Sequence, residues 1–276
     1  MGRAAPPSVI GRPAPRRSAA LAVLPIAAGG LFVALLVLPM LGLVMRIPPG
    51  ELLGRLAKPF ILQALWLSLK TSLASTAAVA ILGLPVAYLL AMRQFPGKRL
   101  LEVLVDLPMV LPPTVAGVGL LLAFGRTGLV GRELAAVGIT IPFTSLAVVL
   151  AQMFVAGPLL VNAARAGFEQ VDAKYLRAAA TLRASSAHTF LRVVLPLSLP
   201  SLSAGAAMTW ARALGEFGAT ITFAGNLPGR TQTMPLAVYE ALQSDLEAAV
   251  ALSVMLLVVS FGVLFALRNL PRASWR

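Results

Sequence analysis

The sequence predicts an all-α membrane protein with about six transmembrane helices and both termini in the cytoplasm. Of its 276 residues, 58% are hydrophobic and only 12% are charged, about half the charged fraction of an ordinary soluble domain. Six apolar stretches are each long enough for the roughly 20 helical residues that cross a bilayer. These stretches are residues 19–45, 64–92, 101–124, 144–163, 199–225 and 247–267. We therefore expect one transmembrane domain over residues 19–276.

The distribution of basic residues indicates the orientation of this domain. With a cytoplasmic N-terminus, fifteen of the 23 Lys and Arg residues fall on the cytoplasmic side, six fall on the other side, and Lys70 and Arg212 lie within spans. This asymmetry follows the positive-inside rule, so the net charge of +13 does not indicate a nucleic-acid partner. Residues 1–18 are rich in Pro and Arg and are predicted to form a disordered basic cytoplasmic tail.

Several kinds of site are missing from the sequence. The chain has no cysteine and one histidine, so neither thiol chemistry nor a zinc cluster is expected. It also lacks a G-x-x-x-x-G-K-[ST] phosphate loop, which leaves no usual means of binding ATP. We expect a protein that is not an enzyme, holds no metal or cofactor, and takes energy from outside or uses none.

Proline is concentrated in the third span, at Pro108, Pro112 and Pro113. Because proline removes a backbone donor and crowds the preceding turn, the span is predicted to be bent or interrupted. Thr114 could satisfy a freed carbonyl group. An interrupted span can line a transport route, and a kink produced by packing is the alternative.

The fifth span carries two charged residues, Arg212 and Glu216, four positions apart. On one helix they would share a face and turn toward a protein interior or a wet cavity. They could form a polar patch beside a substrate pathway or a neutral pair that locks helices together, and the sequence favours neither. A ridge of small residues for helix packing is predicted on the same helix, at Ala207, Ala211, Gly215 and Ala219.

A polar passage separates spans four and five. Asp172 is predicted to cap a helix that begins at Ala173, and Ser185 or Ser186 to cap a second helix through Val194. Pro196 is expected to end the passage and to turn the chain into the fifth span.

The first of these helices is predicted to be amphipathic, with Tyr175, Ala179 and Leu182 on its apolar face. Such a helix could lie on anionic headgroups or present this face to a soluble partner. The residue pattern alone leaves both open.

The stretch RAAATLRASSAHTFLRVVLPL, residues 177–197, resembles the cytoplasmic coupling loop of ABC-importer permeases. That pattern is Glu-Ala-Ala, three residues, Gly, nine residues, an apolar residue, one more, and Leu-Pro. The resemblance implies a loop at about residues 165–198 that docks on a separate ATPase. The implied coupling residues are Tyr175, Arg177, Ala178, Ala179, Leu182, Arg183, Ser185 and Pro196.

Two residues depart from the pattern. Arg177 stands where the family has an acidic residue, which reverses the charge offered to the partner. Arg183 stands where the family has glycine, at a position where a positive φ would be easy for Gly and unfavourable for Arg. We still expect the loop to dock on an ATPase. The two departures affect the geometry of the loop and the charge that its partner must offer.

Residues 212–239, RALGEFGATITFAGNLPGRTQTMPLAVY, are similar to molybdate permeases. Sulfate and thiosulfate permeases share the ALGEFGA-like core, and the GNLPGRTQTMPL continuation favours molybdate or the similar anion tungstate. The resemblance implies a type I ABC-importer permease in a bacterial inner membrane. Its implied partners are a second copy of the chain, two cytoplasmic ATPases and an external binding protein.

In such an importer the anion would pass between the two permease copies. A route of this kind must not hold its cargo tightly, so hydroxyl and amide groups suit it. The predicted pathway residues are Pro112, Pro113, Thr114, Thr209, Arg212, Glu216, Thr220 and Thr222. Two other classes of function remain: a carrier independent of an ATPase, with Arg212 and Glu216 as an ion relay, and a membrane scaffold without transport.

Overall fold

A computed structural model describes residues 17–46, 48, 50, 54 and 58–269. The predicted tail at residues 1–18 lies outside this part except for its last two residues, because the first helix begins at Arg17. The chain divides into two compact units, Met1–Arg46 and Ile47–Arg276. The first unit contains α1 (Arg17–Met45), whose apolar part, Pro25–Met45, is long enough to cross a membrane.

In the residues that the structure describes, the second unit consists of helices and the loops that connect them, without a strand. Its long helices are α2, α6, α9 and α12, and shorter helices join them. In chain order the elements are α2 (Pro59–Met92), α3 (Lys98–Val110), α4 (Pro113–Phe124), α5 (Gly131–Ala136), α6 (Ser145–Glu169), α7 (Ala173–Thr181), α8 (Ser186–Thr189), a π-helical segment (Phe190–Val194), α9 (Leu195–Leu214), α10 (Gly218–Ala224), α11 (Met234–Ser244) and α12 (Leu246–Asn269).

The predicted number of spans is confirmed. Five of the described helices are long and apolar enough to cross a membrane, and the bent pair α3 and α4 makes a sixth if it is one span. The chain bends by 118° between these two helices, as the prolines predict. The bend lies at Leu111 and Pro112, whereas Pro108 is accommodated inside α3.

The fifth span differs from its prediction at both ends. It starts at Ser186 and ends at Leu214, while 199–225 is predicted. Because the helix stops before Gly215 and α10 begins at Gly218, the four small residues do not share one helix. The prediction of a continuous ridge at Ala207, Ala211, Gly215 and Ala219 is therefore wrong.

Pro196 also behaves differently from the prediction. It lies in the first turn of α9 and continues the helix rather than ending the passage. The π-helical segment precedes it, and the amide of Leu195 donates to the carbonyl of Phe190. A proline ring crowds the preceding turn of a regular α-helix, and the wider π turn gives it room.

The core of the second unit is formed mainly by α2, α6 and α9, which pack side by side. Small residues allow close approach between them. A Cβ added to Gly83 would lie 2.8 Å from a methyl group of Val161, and one added to Gly205 would lie 2.5 Å from the Cβ of Ala163. These helices therefore have little freedom to approach one another further.

The contact between α4 and α10 is equally close. A Cβ added to Gly117 would lie 2.7 Å from the Cβ of Thr222 and 3.0 Å from the Cα of Ala219. One added to Gly218 would lie 2.8 Å from the Cβ of Pro113. Most of the atoms in the way belong to backbone or to rigid side chains, so α4 and α10 fit together as one block.

We predict opposite effects for the same substitution at two neighbouring glycines of α4. Gly117→Ala should destabilise the protein by about 1–3 kcal/mol, because the added methyl group overpacks the contact with α10. Gly119→Ala should be neutral or slightly stabilising, since Gly119 has open space around its Cα and alanine favours a helix. Thermal unfolding in detergent measures the difference, and equal melting temperatures would contradict the close α4–α10 contact.

Candidate functional site

The cytoplasmic passage begins at a capped helix, as predicted. The Asp172 carboxylate accepts a hydrogen bond from the Lys174 backbone amide at 2.8 Å and lies 3.1 Å from the Lys174 ammonium group. The amide hydrogen bond, followed by the Lys174 side chain, holds the pKa of Asp172 below its usual value. The cap is therefore complete at neutral pH and is lost only as the pH falls through that lowered pKa.

The second cap of the passage is also confirmed, with Ser185 as the capping residue. Its hydroxyl accepts from the His188 amide at 3.2 Å. The α8 helix that it caps ends at Thr189, and the π-helical segment continues the chain into α9. The two caps thus fix the first turns of α7 and α8, and a short turn after Thr181 connects these helices.

The connecting turn places Arg183 in the left-handed region, with φ 54°. The Arg183 amide donates to the carbonyl of Ala180, and the Ala184 amide donates to that of Ala179, both at 3.0 Å. This pair of bonds is the helix ending that glycine usually makes. The predicted positive φ is confirmed, and a side chain there costs about 1–2 kcal/mol.

The faces of α7 are arranged differently from the prediction. Ala179 is only 7% exposed, and Leu176 packs against the core of this chain beside Phe168 and Val194. Leu182, by contrast, is 82% exposed, because it follows the last helical residue and does not continue the helical face. Of the three residues predicted to form a free apolar face, Ala179 therefore packs on its own protein, while Tyr175 and Leu182 are exposed.

The exposed residues of the passage form what we call the cytoplasmic tip. It comprises two apolar side chains with basic and small residues around them: Tyr175, Arg177, Ala178, Leu182, Arg183 and His188. Its base is fixed by three aromatic rings, those of Tyr88, Phe168 and Phe190, with centroids 4.8 to 5.9 Å apart. The tip therefore protrudes from a rigid base.

An ion-pair network near the tip was not predicted from the sequence. Arg165 of α6 lies 2.8 Å from the Glu102 carboxylate of α3 and 2.9 Å from Glu169. Asn162 donates to Asp106 at 2.7 Å. The spacing of Glu102 and Asp106, four apart on α3, and of Asn162 and Arg165, three apart on α6, is the signal that could have indicated it. The network fixes α3 to α6 at their cytoplasmic ends.

A second polar region lies at the opposite end of α9. Glu216 is 1% exposed, and one of its carboxylate oxygens lies 2.6 Å from the Arg212 guanidinium group. Its other oxygen accepts from the Ala219 amide at 2.8 Å. Arg212 itself is 36% exposed. The carboxylate is thus held between two helices, as the interpretation of a neutral locking pair predicts, while the cation reaches the surface.

Buried polar groups surround this region. Within the described part of the chain, the side-chain amide of Gln152, the indole N–H of Trp210 and the hydroxyl of Thr220 are buried without a hydrogen-bond partner. The carbonyl of Ala156 on α6 accepts a hydrogen bond from Thr209 on α9. Gln152 lies one helical turn before Ala156, so along the helix axis it is at the height of the last turns of α9. Sequence reasoning missed Gln152, which sits singly among small and apolar residues.

The predicted pathway residues are brought together but differ in accessibility. Pro113 and Thr114 touch the start of α10 at Gly218 and are exposed, as is Pro112. Thr209 and Thr220 are buried, and the half-buried Thr222 donates its hydroxyl to the carbonyl of Gly218. In this conformation Thr209, Glu216 and Thr220 cannot contact a solute.

The loop after α10 is held by a carboxylate that the sequence did not single out. Glu240 accepts from the side-chain amides of Asn226 at 2.8 Å and Gln232 at 2.6 Å. The Ser68 hydroxyl of α2 accepts from the Met234 amide at 2.7 Å and so caps α11. The GNLPGRTQT stretch is thus a fixed loop that joins α10 to α11.

Comparison with known proteins identifies the family. Residues 81–275 match the family described as binding-protein-dependent transport system inner membrane component. The chain is 45% identical over 237 residues to the molybdenum transport system permease protein ModB of Mycobacterium tuberculosis, which covers 86% of this chain and 89% of that protein. It is 35% identical over 245 residues to the sulfate transport system permease protein CysT of Salmonella typhimurium, covering 87% and 88%.

Solved structures share the fold. A chain of the inward-facing MetNI methionine ABC transporter superposes with a TM-score of 0.63 at 18% identity and covers 79% of this chain and 97% of its own. A chain of a bacterial alginate ABC transporter superposes with a TM-score of 0.74 at 14% identity, covering 93% and 95%. The expected importer-permease fold is confirmed, and the protein is a multi-pass inner membrane protein that belongs to the family of binding-protein-dependent transport system inner membrane components.

Proposed function

We propose that this chain is the membrane-spanning permease subunit of an ATP-driven importer of molybdate or tungstate. The observation that carries the proposal is the 45% identity to ModB over 86% of the chain. Import of sulfate is the second candidate, because CysT aligns over a similar share of the chain at 35% identity. The ten-point difference favours molybdate.

In this proposal the energy source is a separate ATPase subunit, because the chain resembles ABC-importer permeases in fold and has no phosphate loop of its own. Two copies of the permease, two ATPases and an external binding protein form the assembly. The cytoplasmic tip is the surface that meets the ATPase. It protrudes from a base fixed by three aromatic rings, which suits a contact that must transmit force.

The charge of the tip defines the partner surface. Arg177 and Arg183 are exposed, and the Lys174 ammonium group beside them is already paired with Asp172. A groove with acidic residues around a pocket for Leu182 would complement this surface. The reversed charge at Arg177 thus requires a matching reversal in the cognate ATPase.

Transport proceeds by alternating access. ATP binding draws the two ATPases and the attached tips together, and hydrolysis lets them separate. Ser186–Leu214 is a continuous helical rod of 29 residues, about 43 Å long at the rise of an α-helix. The rod carries movement of the tip to the polar region around Glu216.

The anion passes between the two copies along weakly binding groups. Of the predicted pathway residues, Pro112, Pro113, Thr114 and Arg212 are accessible in this conformation. A carrier independent of the ATPase, with Glu216 in a relay, would need a carboxylate in contact with water. The 1% exposure of Glu216 does not favour this alternative.

Uptake into vesicles tests the function directly. With the cognate ATPase and binding protein present, we expect ATP-dependent uptake of radioactive molybdate that tungstate inhibits and sulfate does not. Omitting the ATPase or ATP should abolish uptake. Uptake by the permease alone, or inhibition by sulfate rather than tungstate, would contradict the proposal.

Leu182→Asp tests the tip as the docking surface. Placing a carboxylate where an apolar side chain enters a pocket should weaken association with the ATPase by about tenfold or more. Leu129→Asp is the matched control, because Leu129 is equally exposed but lies on the external side of the membrane. Co-purification of the ATPase measures the effect, and equal yields from the two variants would exclude the tip as the contact.

Substitution of Arg183 separates backbone strain from charge. Arg183→Gly should raise the melting temperature by a few degrees, because glycine adopts the positive φ without the cost of about 1–2 kcal/mol. Arg183→Ala removes the same charge and keeps most of the strain, so it should not raise the melting temperature. Both variants should bind the ATPase more weakly if the charge contributes, and unchanged binding by both would show that Arg183 does not contact it.

A further inference from the structure

Glu216 joins two helices across a break in the chain. It lies between the end of α9 at Leu214 and the start of α10 at Gly218. One carboxylate oxygen is held by Arg212, in the last turn of α9, and the other by the Ala219 amide, in the first turn of α10. The Glu216 amide also donates to the carbonyl of Ala213 at 3.1 Å. A single side chain therefore spans both sides of the break.

Burial makes this contact difficult to break. The carboxylate is almost fully withdrawn from water, so losing Arg212 would leave a buried charge without its counter-ion, and losing Ala219 would remove the hydrogen bond of the other oxygen. The Thr220 side chain, in the first turn of α10, is buried as well. Sliding α9 relative to α10 would separate Glu216 from Arg212 or from Ala219, and both separations are unfavourable.

Movement of α10 in turn requires movement of α4. The contacts of Gly117 with Ala219 and of Gly218 with Pro113 leave no space for even one methyl group. Two surfaces that fit this closely do not slide without separating. The exposed prolines that begin α4 are therefore attached, through α10 and Glu216, to the rod that starts at the cytoplasmic tip.

We propose that Glu216 is a positioning residue that makes α10 and α4 follow α9 during the transport cycle. The inference rests on the proposed function, because it concerns movement driven by the ATPase. It assigns the Arg212–Glu216 pair to the transmission of movement inside one permease copy. The carboxylate itself does not touch the anion.

Distances between two spin labels test this inference. The natural chain has no cysteine, so Met208→Cys on α9 and Val118→Cys on α4 give two unique attachment sites, both exposed. The labelled chain is assembled with the cognate ATPase in a bilayer and diluted with unlabelled chain, so that distances within one copy dominate. Measurements are made without nucleotide and with ATP trapped.

We expect the 208–118 distance to be the same in both nucleotide states of the otherwise natural chain. In Glu216→Gln, which keeps an acceptor for the Ala219 amide and loses the ion pair, the distance should change with nucleotide. Arg212→Gln removes the same ion pair from the other side, so its 208–118 distance should also change with nucleotide. It is the second variant if Glu216→Gln is unstable. Glu133→Gln is the matched control at an exposed carboxylate and should behave like the natural chain.

Activity provides a second readout that loss of stability alone would not move. The amount of molybdate transported per ATP hydrolysed should fall by about 2- to 30-fold in both ion-pair variants, while ATP hydrolysis and association with the ATPase are retained. An unchanged ratio together with an unchanged distance in Glu216→Gln and Arg212→Gln would overturn the inference.

Labels at Leu191→Cys in both copies distinguish failure of this inference from failure of the proposed function, because Leu191 is exposed on the rod but lies outside the tip. A 191–191 distance that does not respond to nucleotide would contradict the proposed function, and this inference with it. A 191–191 distance that responds to nucleotide, combined with a 208–118 distance that also changes in the natural chain, would overturn this inference alone.

Discussion

The bilayer core supplies no hydrogen-bond partners, so each break inside a membrane span must satisfy its backbone groups within the protein. The chain departs twice near the same place, at the bend before α4 and at the gap between α9 and α10. The two breaks lie against each other, where Pro113 meets Gly218. The Glu216 carboxylate satisfies the Ala219 amide at the second break, and small residues close the space between the helices. An interrupted region thus becomes a firm joint.

At the cytoplasmic end, some charged groups are paired between helices and others are exposed. There the carboxylates of α3 are paired with Arg165 and Asn162 of α6, whereas the tip has exposed cations without such partners in α3. The paired groups hold α3 and α6 together. The outward charges of Arg177 and Arg183 have water as their surroundings in this chain and are free to meet a partner. A stable scaffold and an exposed contact surface therefore lie side by side.

Local signals allowed much of this to be predicted from the sequence. Apolar length gives the spans, Asp172 and Ser185 give the helix caps, and the position of Arg183 in the family pattern gives its positive φ. Features that depend on a distant partner were not predictable in the same way. The end of α9 at Leu214 depends on a new helix capped by Glu216, and the burial of Ala179 and Thr209 depends on helices elsewhere in the chain. Hydrophobicity alone predicts a fifth span that continues to residue 225. It does not reveal the break between α9 and α10, where the Glu216 side chain joins the two helices.

In the proposed mechanism, a separate ATPase drives the membrane helices through the cytoplasmic tip. The reactivity of a single cysteine, introduced as Tyr175→Cys at the exposed tip, toward a membrane-impermeant maleimide in inside-out vesicles tests whether the ATPase binds there. We expect rapid labelling of the permease alone and strong protection when the cognate ATPase is bound. Equal labelling rates with and without a stoichiometrically bound ATPase would show that the ATPase binds the permease at some other surface, and the mechanism would be wrong.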